Sequence, residues 1–146
     1  MFAGPKFGPK VKEENAKAIM TASELVLVDF SGWLEYITGN EKADAFGAVF
    51  QGSAQVLVPT IVLYEVFQIL LLRASKTDAN LFLSEALRRR VVDLTGTIAL
   101  AAASLSSIDY KLPMADAIIY ETAQAHQAEL ITSDAHFSGL PGVTLI

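Results

Sequence analysis

Short apolar runs of strand length recur along this chain, each followed by a stretch of helical periodicity, and that alternation leaves few folds open to it. Leu25-Val26-Leu27-Val28 is the first run; Val56-Leu57-Val58, Val91-Val92, Leu130-Ile131 and Val143-Thr144-Leu145 follow. Most are continuously apolar rather than alternating, which marks strands covered on both faces. After the first run, Ser31 offers a hydroxyl N-cap for a helix through Trp33 and Tyr36, broken at Thr38-Gly39-Asn40. Ala43, Phe46, Val49 and Phe50 then share a helical face that ends near Gly52. Pro59 closes the second strand and Thr60 is expected to cap the next helix. From Ile61 to Ala74 that helix is apolar on nearly every face, which predicts burial on more than one side. Helical stretches over Asp78 to Arg89, Ile98 to Leu105 and Pro113 to about Ala128 complete the pattern. Strand and helix in this order imply an α/β fold, a mostly parallel central sheet of about five strands with helices on both faces and right-handed crossovers.

The 146 residues suit a single domain, and the sequence has no internal repeat, low-complexity run or second boundary. Apolar residues at 52% against 18% charged exclude a disordered chain. The absence of cysteine excludes disulfides and thiolate metal sites and fits a reducing compartment, so a cytoplasmic location is expected. A net charge of −5 argues against a broad electrostatic footprint for nucleic acid. The local basic run Arg88-Arg89-Arg90 has two readings, a strip that tracks a phosphate backbone and, more plainly, a solvated helix end that complements the macrodipole. The most apolar window, Ile61 to Leu72, contains Glu65 and Gln68 and falls short of the roughly 20 residues a membrane span needs. Residues 1–19 carry no secretory h-region and read as a loose amino-terminal extension ahead of a domain over residues 20–146.

Four carboxylates stand out against this background. Asp29 closes the first strand and Asp134 follows Leu130-Ile131-Thr132-Ser133, so both fall at carboxyl ends of parallel strands, where open α/β sheets place their sites. Glu65 and Asp116 lie in helices opened by Pro59 and Pro113, within the apolar strings Leu63-Tyr64-Glu65-Val66-Phe67 and Met114-Ala115-Asp116-Ala117-Ile118. Singly, each has an ordinary explanation as a helix cap or a surface charge. Together they would form an acidic pocket that a divalent cation neutralises, and all-oxygen ligands favour Mg²⁺ or Mn²⁺. Ser31, Thr132 and Ser133 are placed to hydrogen-bond these carboxylates or a phosphate. His126 and His136 read as packing or capping side chains, because no histidine spacing supports zinc. Trp33 and Tyr36, at helical spacing, read as core or interface rather than base-stacking platforms.

The strings around these residues carry a resemblance. Val-Asp-Phe-Ser-Gly-Trp-Leu-Glu-Tyr around Asp29, the Pro59 to Glu65 spacing, Leu-Pro-Met-Ala-Asp-Ala around Asp116 and Thr-Ser-Asp-Ala-His-Phe around Asp134 resemble the four acidic motifs of PIN domains. In particular the chain is similar to VapC ribonuclease toxins of toxin–antitoxin modules, from about residue 24 to the end. Phe30 departs from the small hydroxyl residue that many relatives have there.

The resemblance implies a single PIN-like domain and a metal-dependent endoribonuclease. Asp29, Glu65, Asp116 and Asp134 would be both its catalytic residues and the ligands of Mg²⁺ or Mn²⁺. It also implies an RNA substrate, a transfer RNA or a ribosomal RNA loop, a homodimer, and a small antitoxin that sends an arginine toward the acidic pocket. For the antitoxin groove, the helix from Trp33 to Ile37 and the helix bearing Phe46 and Phe50 are the expected walls. Two alternatives stay open, a catalytically silent PIN-like binding module and a free-standing RNA-processing nuclease. A phosphoryl-accepting receiver domain fits poorly, since Asp29 has no acidic neighbour and Lys111 sits before a helix.

Overall fold

The computed structural model describes residues 24–146, so the expected extension over residues 1–19 lies outside the described residues. The elements run β1 (Leu25–Val28), α1 (Phe30–Thr38), α2 (Ala43–Gln51), β2 (Gln55–Pro59), α3 (Thr60–Arg73) and α4 (Lys76–Ala86). Then come β3 (Arg90–Val92), α5 (Gly96–Ser104), α6 (Met114–Ala125), β4 (Glu129–Thr132) and β5 (Val143–Leu145). A wide π-type turn over Leu105–Asp109 extends α5, and a single 3₁₀ turn over Ala135–Phe137 follows β4. The five strands form one sheet in the order β3-β2-β1-β4-β5, and every neighbouring pair is parallel. Helices cover both faces, with α1 against α2, α3 against α4 and α5 against α6.

That strand order positions the site. The chain builds outward from β1 through β2 to β3, then returns to lay β4 on the other side of β1. The reversal lies between β1 and β4, and their carboxyl ends open there into the crevice where doubly wound sheets bind ligands. Val28 stands opposite Ile131 in the β1–β4 register, so Asp29 and Thr132 emerge side by side.

The apolar runs are strands because both their faces are covered. Val26, Leu27, Val28, Leu57, Val58, Leu130 and Ile131 are fully buried, and each such aliphatic side chain contributes on the order of 1.5–3 kcal/mol by leaving water. An aromatic cluster fills the space under α1. Trp33 stacks at a tilt on Phe50, with ring centroids 4.3 Å apart, and meets Phe82 edge-on at 5.2 Å. Gly32 lets α1 approach α2: a Cβ there would overlap Val28 Cγ1 and lie 2.5 Å from Phe46 Cε1.

Several local expectations change. The N-cap of α1 is Asp29, whose carboxylate accepts from Gly32 N, while Ser31 lies inside the first turn. Pro59 belongs to β2 and occupies the N-cap of α3, so Thr60 is the first helical residue. Within α3 only Val62, Val66 and Leu70 are buried, whereas Tyr64 and Leu72 are 63% and 72% exposed. Burial on every side therefore does not occur in the single chain: α3 packs against α4, α1, β2 and α6, and its remaining face, with Tyr64 and Leu72, is left to solvent. The supposed groove walls fail too: Trp33, Tyr36, Ile37, Phe46 and Phe50 are core residues and offer no surface to a partner.

The basic run follows α4 and leads into the amino end of β3, so it lies at the end of the parallel sheet opposite the carboxyl ends where Asp29 sits. Arg88 pairs with Glu85 at 3.3 Å, Arg89 donates to Phe50 O at 2.9 Å and covers its ring, and Arg90 opens β3. Among the described residues, no helix is long and apolar enough to cross a membrane.

Candidate metal centre

Asp29 is the buried anchor of the crevice. It is 2% exposed, and extended backbone turns its carboxylate back over the first turn of α1. Oδ1 accepts from Ser31 Oγ at 2.7 Å and Gly32 N at 3.1 Å, and Oδ2 accepts from Thr132 Oγ1 at 2.7 Å. Thr132 Oγ1 in turn accepts from Asp134 N at 2.9 Å, and Ser31 Oγ accepts from Ser133 N at 3.1 Å. These bonds tie the ends of β1 and β4 together across about a hundred residues of sequence. Ser31 and Thr132 hold the carboxylate through their hydroxyls, while Ser133 takes part through its backbone N–H. Burial raises the Asp29 pKa; the hydrogen bonds from Ser31, Thr132 and Gly32 oppose that rise, and the Asp134 charge adds to it.

Glu65 reaches the crevice from the second turn of α3. Its Oε1 is buried and has no hydrogen-bond partner. Burial, then the charges of Asp116 and Asp29, push its pKa up to about 6. Asp116, in the first turn of α6, is likewise raised by burial and by Asp134, against a lowering by His136. Asp134 caps the 3₁₀ turn by accepting from His136 N at 2.9 Å. The crevice thus gathers Asp29, Glu65, Asp116 and Asp134 closely enough for their charges to act on one another. The described ion pairs bring no lysine or arginine to it.

One residue of the cluster, expected from the sequence to be a packing or capping side chain, stands among the carboxylates instead. His136 Nδ1 lies 3.1 Å from Asp116 Oδ2 and 3.2 Å from Asp134 Oδ1. It is not a packing side chain, since 62% of it is exposed; Phe137, the next residue, fills that role and is fully buried. The available signal was the two-residue spacing from Asp134, which a single tight turn converts into proximity. His126 stays apart, with Nδ1 2.8 Å from Thr122 O at the end of α6.

Among the described residues, ligand atoms of Asp116, Asp134 and His136 all lie within 4.8 Å of one another, the one such group of three able to hold a metal ion. The donor set fits a divalent cation. Crowded carboxylates with raised pKa values and a buried, unpartnered Glu65 oxygen are the environment that a positive ion relieves.

Comparisons with known proteins agree with this arrangement. Residues 26–143 match the family model described as the PIN domain. No curated relative matches the sequence itself. Among solved structures, a toxin–antitoxin complex from Klebsiella pneumoniae is 28% identical, with a TM-score of 0.68 over 82% of this chain and 95% of that one. VapC20 from Mycobacterium tuberculosis, a sarcin–ricin loop cleaving toxin, is 20% identical, with a TM-score of 0.63 over 80% and 95%. VapBC2 from Rickettsia felis, bound to a DNA fragment from its promoter, is 18% identical, with a TM-score of 0.66 over 84% and 97%. At those identities the last two speak to the fold alone.

Proposed function

The chain belongs to the PIN-domain family, whose model spans residues 26–143, and from that premise we propose that it is a metal-dependent endoribonuclease, the toxin of a type II toxin–antitoxin pair. The observation that carries this reading is the buried, unpartnered Glu65 oxygen in a crevice of mutually destabilising carboxylates. A purely structural pocket would not keep so much like charge together without a cation to relieve it.

Asp29, Glu65, Asp116 and Asp134 are the proposed ligands and catalytic groups. A bound Mg²⁺ or Mn²⁺ would neutralise the carboxylates, polarise the scissile phosphate and acidify the attacking water. Asp29 is held rigid by Ser31 and Thr132, so its position costs no reordering when substrate arrives. Glu65, whose pKa burial and the charges of Asp116 and Asp29 raise to about 6 in the metal-free protein, would be returned to its ionised form by the ion it holds. The substrate is proposed to be RNA, a transfer RNA or a ribosomal RNA loop, by analogy with the loop that VapC20 cleaves. A cytoplasmic location goes with that substrate.

Two protein partners belong to the same reading. A cognate antitoxin is suggested by the complexes from Klebsiella and Rickettsia. A guanidinium from it could bond the paired carboxylates in bidentate fashion and compete with the metal ion. A homodimer is suggested by the exposed Tyr64, Leu71 and Leu72 on α3, an apolar strip that a second copy would cover.

The test is cleavage of structured RNA by the purified chain with and without Mn²⁺, beside Asp116→Asn. We expect metal-dependent cleavage that falls at least about a hundredfold in the variant, with an unchanged circular dichroism spectrum. Full activity in the variant would sink the mechanism. Metal-dependent binding of RNA without cleavage would leave the silent binding module as the better reading.

A further inference from the structure

We propose that His136 is a ligand of the bound ion through Nδ1, and that this nitrogen makes the site prefer a first-row transition ion such as Mn²⁺ over Mg²⁺. The inference rests on the nuclease reading above and narrows it, because four carboxylates alone would describe an all-oxygen site.

The geometry is that of neighbouring ligands around one ion. Metal–ligand bonds of about 2.1–2.2 Å at right angles separate adjacent ligand atoms by about 3.0–3.1 Å. Nδ1 stands 3.1 Å from Asp116 Oδ2 and 3.2 Å from Asp134 Oδ1. A hydrogen bond accounts for these contacts less well. The ring has one hydrogen to place on Nδ1, and it cannot align with two carboxylate oxygens on different elements at once. Asp134 Oδ1 also already accepts the backbone N–H of His136 at 2.9 Å. A cation set among the three atoms satisfies every one of these contacts.

The main chain that carries the ring is held without any help from the ring. Phe137 is buried beneath the turn and Asp134 caps it, so the main chain of His136 is held whatever its side chain. The imidazole itself is mostly exposed apart from its contact with the two carboxylates. A side chain with so little packing to lose, aimed at two acidic groups, is better explained by ligation than by stability. Mg²⁺ demands oxygen ligands and keeps its waters, whereas imidazole suits transition ions. One nitrogen in the set therefore shifts the balance away from Mg²⁺.

The experiment uses the full chain stripped of metal, with Mn²⁺ as the probe. Electron spin-echo spectroscopy of the Mn²⁺ complex should show the ¹⁴N coupling of a directly bound imidazole, and His136→Ala should abolish it. In calorimetric titration, His136→Ala should weaken Mn²⁺ binding by about tenfold or more while changing Mg²⁺ binding by less than about threefold. The unchanged melting temperature of an exposed-residue variant excludes misfolding as the cause. Absence of nitrogen coupling in the native chain, or an unchanged Mn²⁺-to-Mg²⁺ affinity ratio in His136→Ala, overturns the proposal. If Asp116→Asn alone abolishes Mn²⁺ binding, the carboxylate site survives and the histidine ligand does not. If the native chain binds no Mn²⁺ at all, both fall.

Discussion

Replacing Glu65 by glutamine should remove a pH dependence that the acidic crevice imposes on the stability of the metal-free protein. Burial first, then the charges of Asp116 and Asp29, raise this carboxyl from 4.5 to about 6. In the unfolded chain the group titrates at its ordinary value, so across that window the folded protein holds more protons than the unfolded one. Stability contributed by the neutral form is fully present below the unfolded value and is lost as pH rises through the folded one. A span of about 1.5 pH units corresponds to about 2 kcal/mol, and solvent screening at a partly buried site trims this to about 1–2 kcal/mol. Asp29 and Asp116 are raised as well, so they add loss of the same sign, beginning lower, from their ordinary 3.8.

Glutamine preserves the shape of the side chain and cannot ionise, so the comparison of native chain and variant isolates the Glu65 contribution. Urea unfolding in the presence of a chelator, at about pH 4 and about pH 7.5, should show the native chain losing about 1–2 kcal/mol relative to Glu65→Gln. For a domain of this size that is a relative fall in melting temperature of about 3–6 °C. Saturating Mn²⁺ at the higher pH should reverse the loss in the native chain, because an ion that binds only the folded state stabilises it. A difference between the two proteins that stays constant with pH, or that grows in favour of the native chain as pH rises, would refute the claim that like charge crowds this carboxylate.

Gly32→Ala should destabilise the protein by about 1–3 kcal/mol in spite of a gain of about 1 kcal/mol in helix propensity, because the new methyl meets Val28 and Phe46, both fully buried. Equal denaturation midpoints for variant and native chain would show that α1 and α2 are not apposed so closely. Leu72→Glu should convert a dimer into a monomer by light scattering while leaving the melting curve of the isolated domain within about 0.5 kcal/mol, since Leu72 is largely exposed; a native chain that is monomeric at micromolar concentration removes the basis for this expectation.

Much of the framework was legible in the sequence because its signals are local. Continuous apolar runs mark strands covered on both faces, and prolines 59 and 113 mark the entries of the helices that carry Glu65 and Asp116. The same reading placed Asp29 and Asp134 at strand ends, since an aspartate that stops an apolar run has nowhere else to be. Cap assignments were less secure: Ser31 and Asp29 are both good cap residues two positions apart, and only the backbone conformation at Asp29 decides between them.

Apolar composition also says that a side chain is buried or exposed somewhere, but not against what. Trp33 and Phe50 filled the core instead of a groove, and Leu72 stayed in solvent on a helix that looked buried all round. The tertiary structure alone decided that β4 lies beside β1, which puts Thr132 within 2.7 Å of an aspartate more than a hundred residues earlier. It alone turned His136 toward two carboxylates on different elements. Sequence by itself determined which residues are strand, helix and acid, because those depend on neighbours a few positions away. Which acids meet, and what stands between them, depends on the order in which the strands pair, and no local period encodes that.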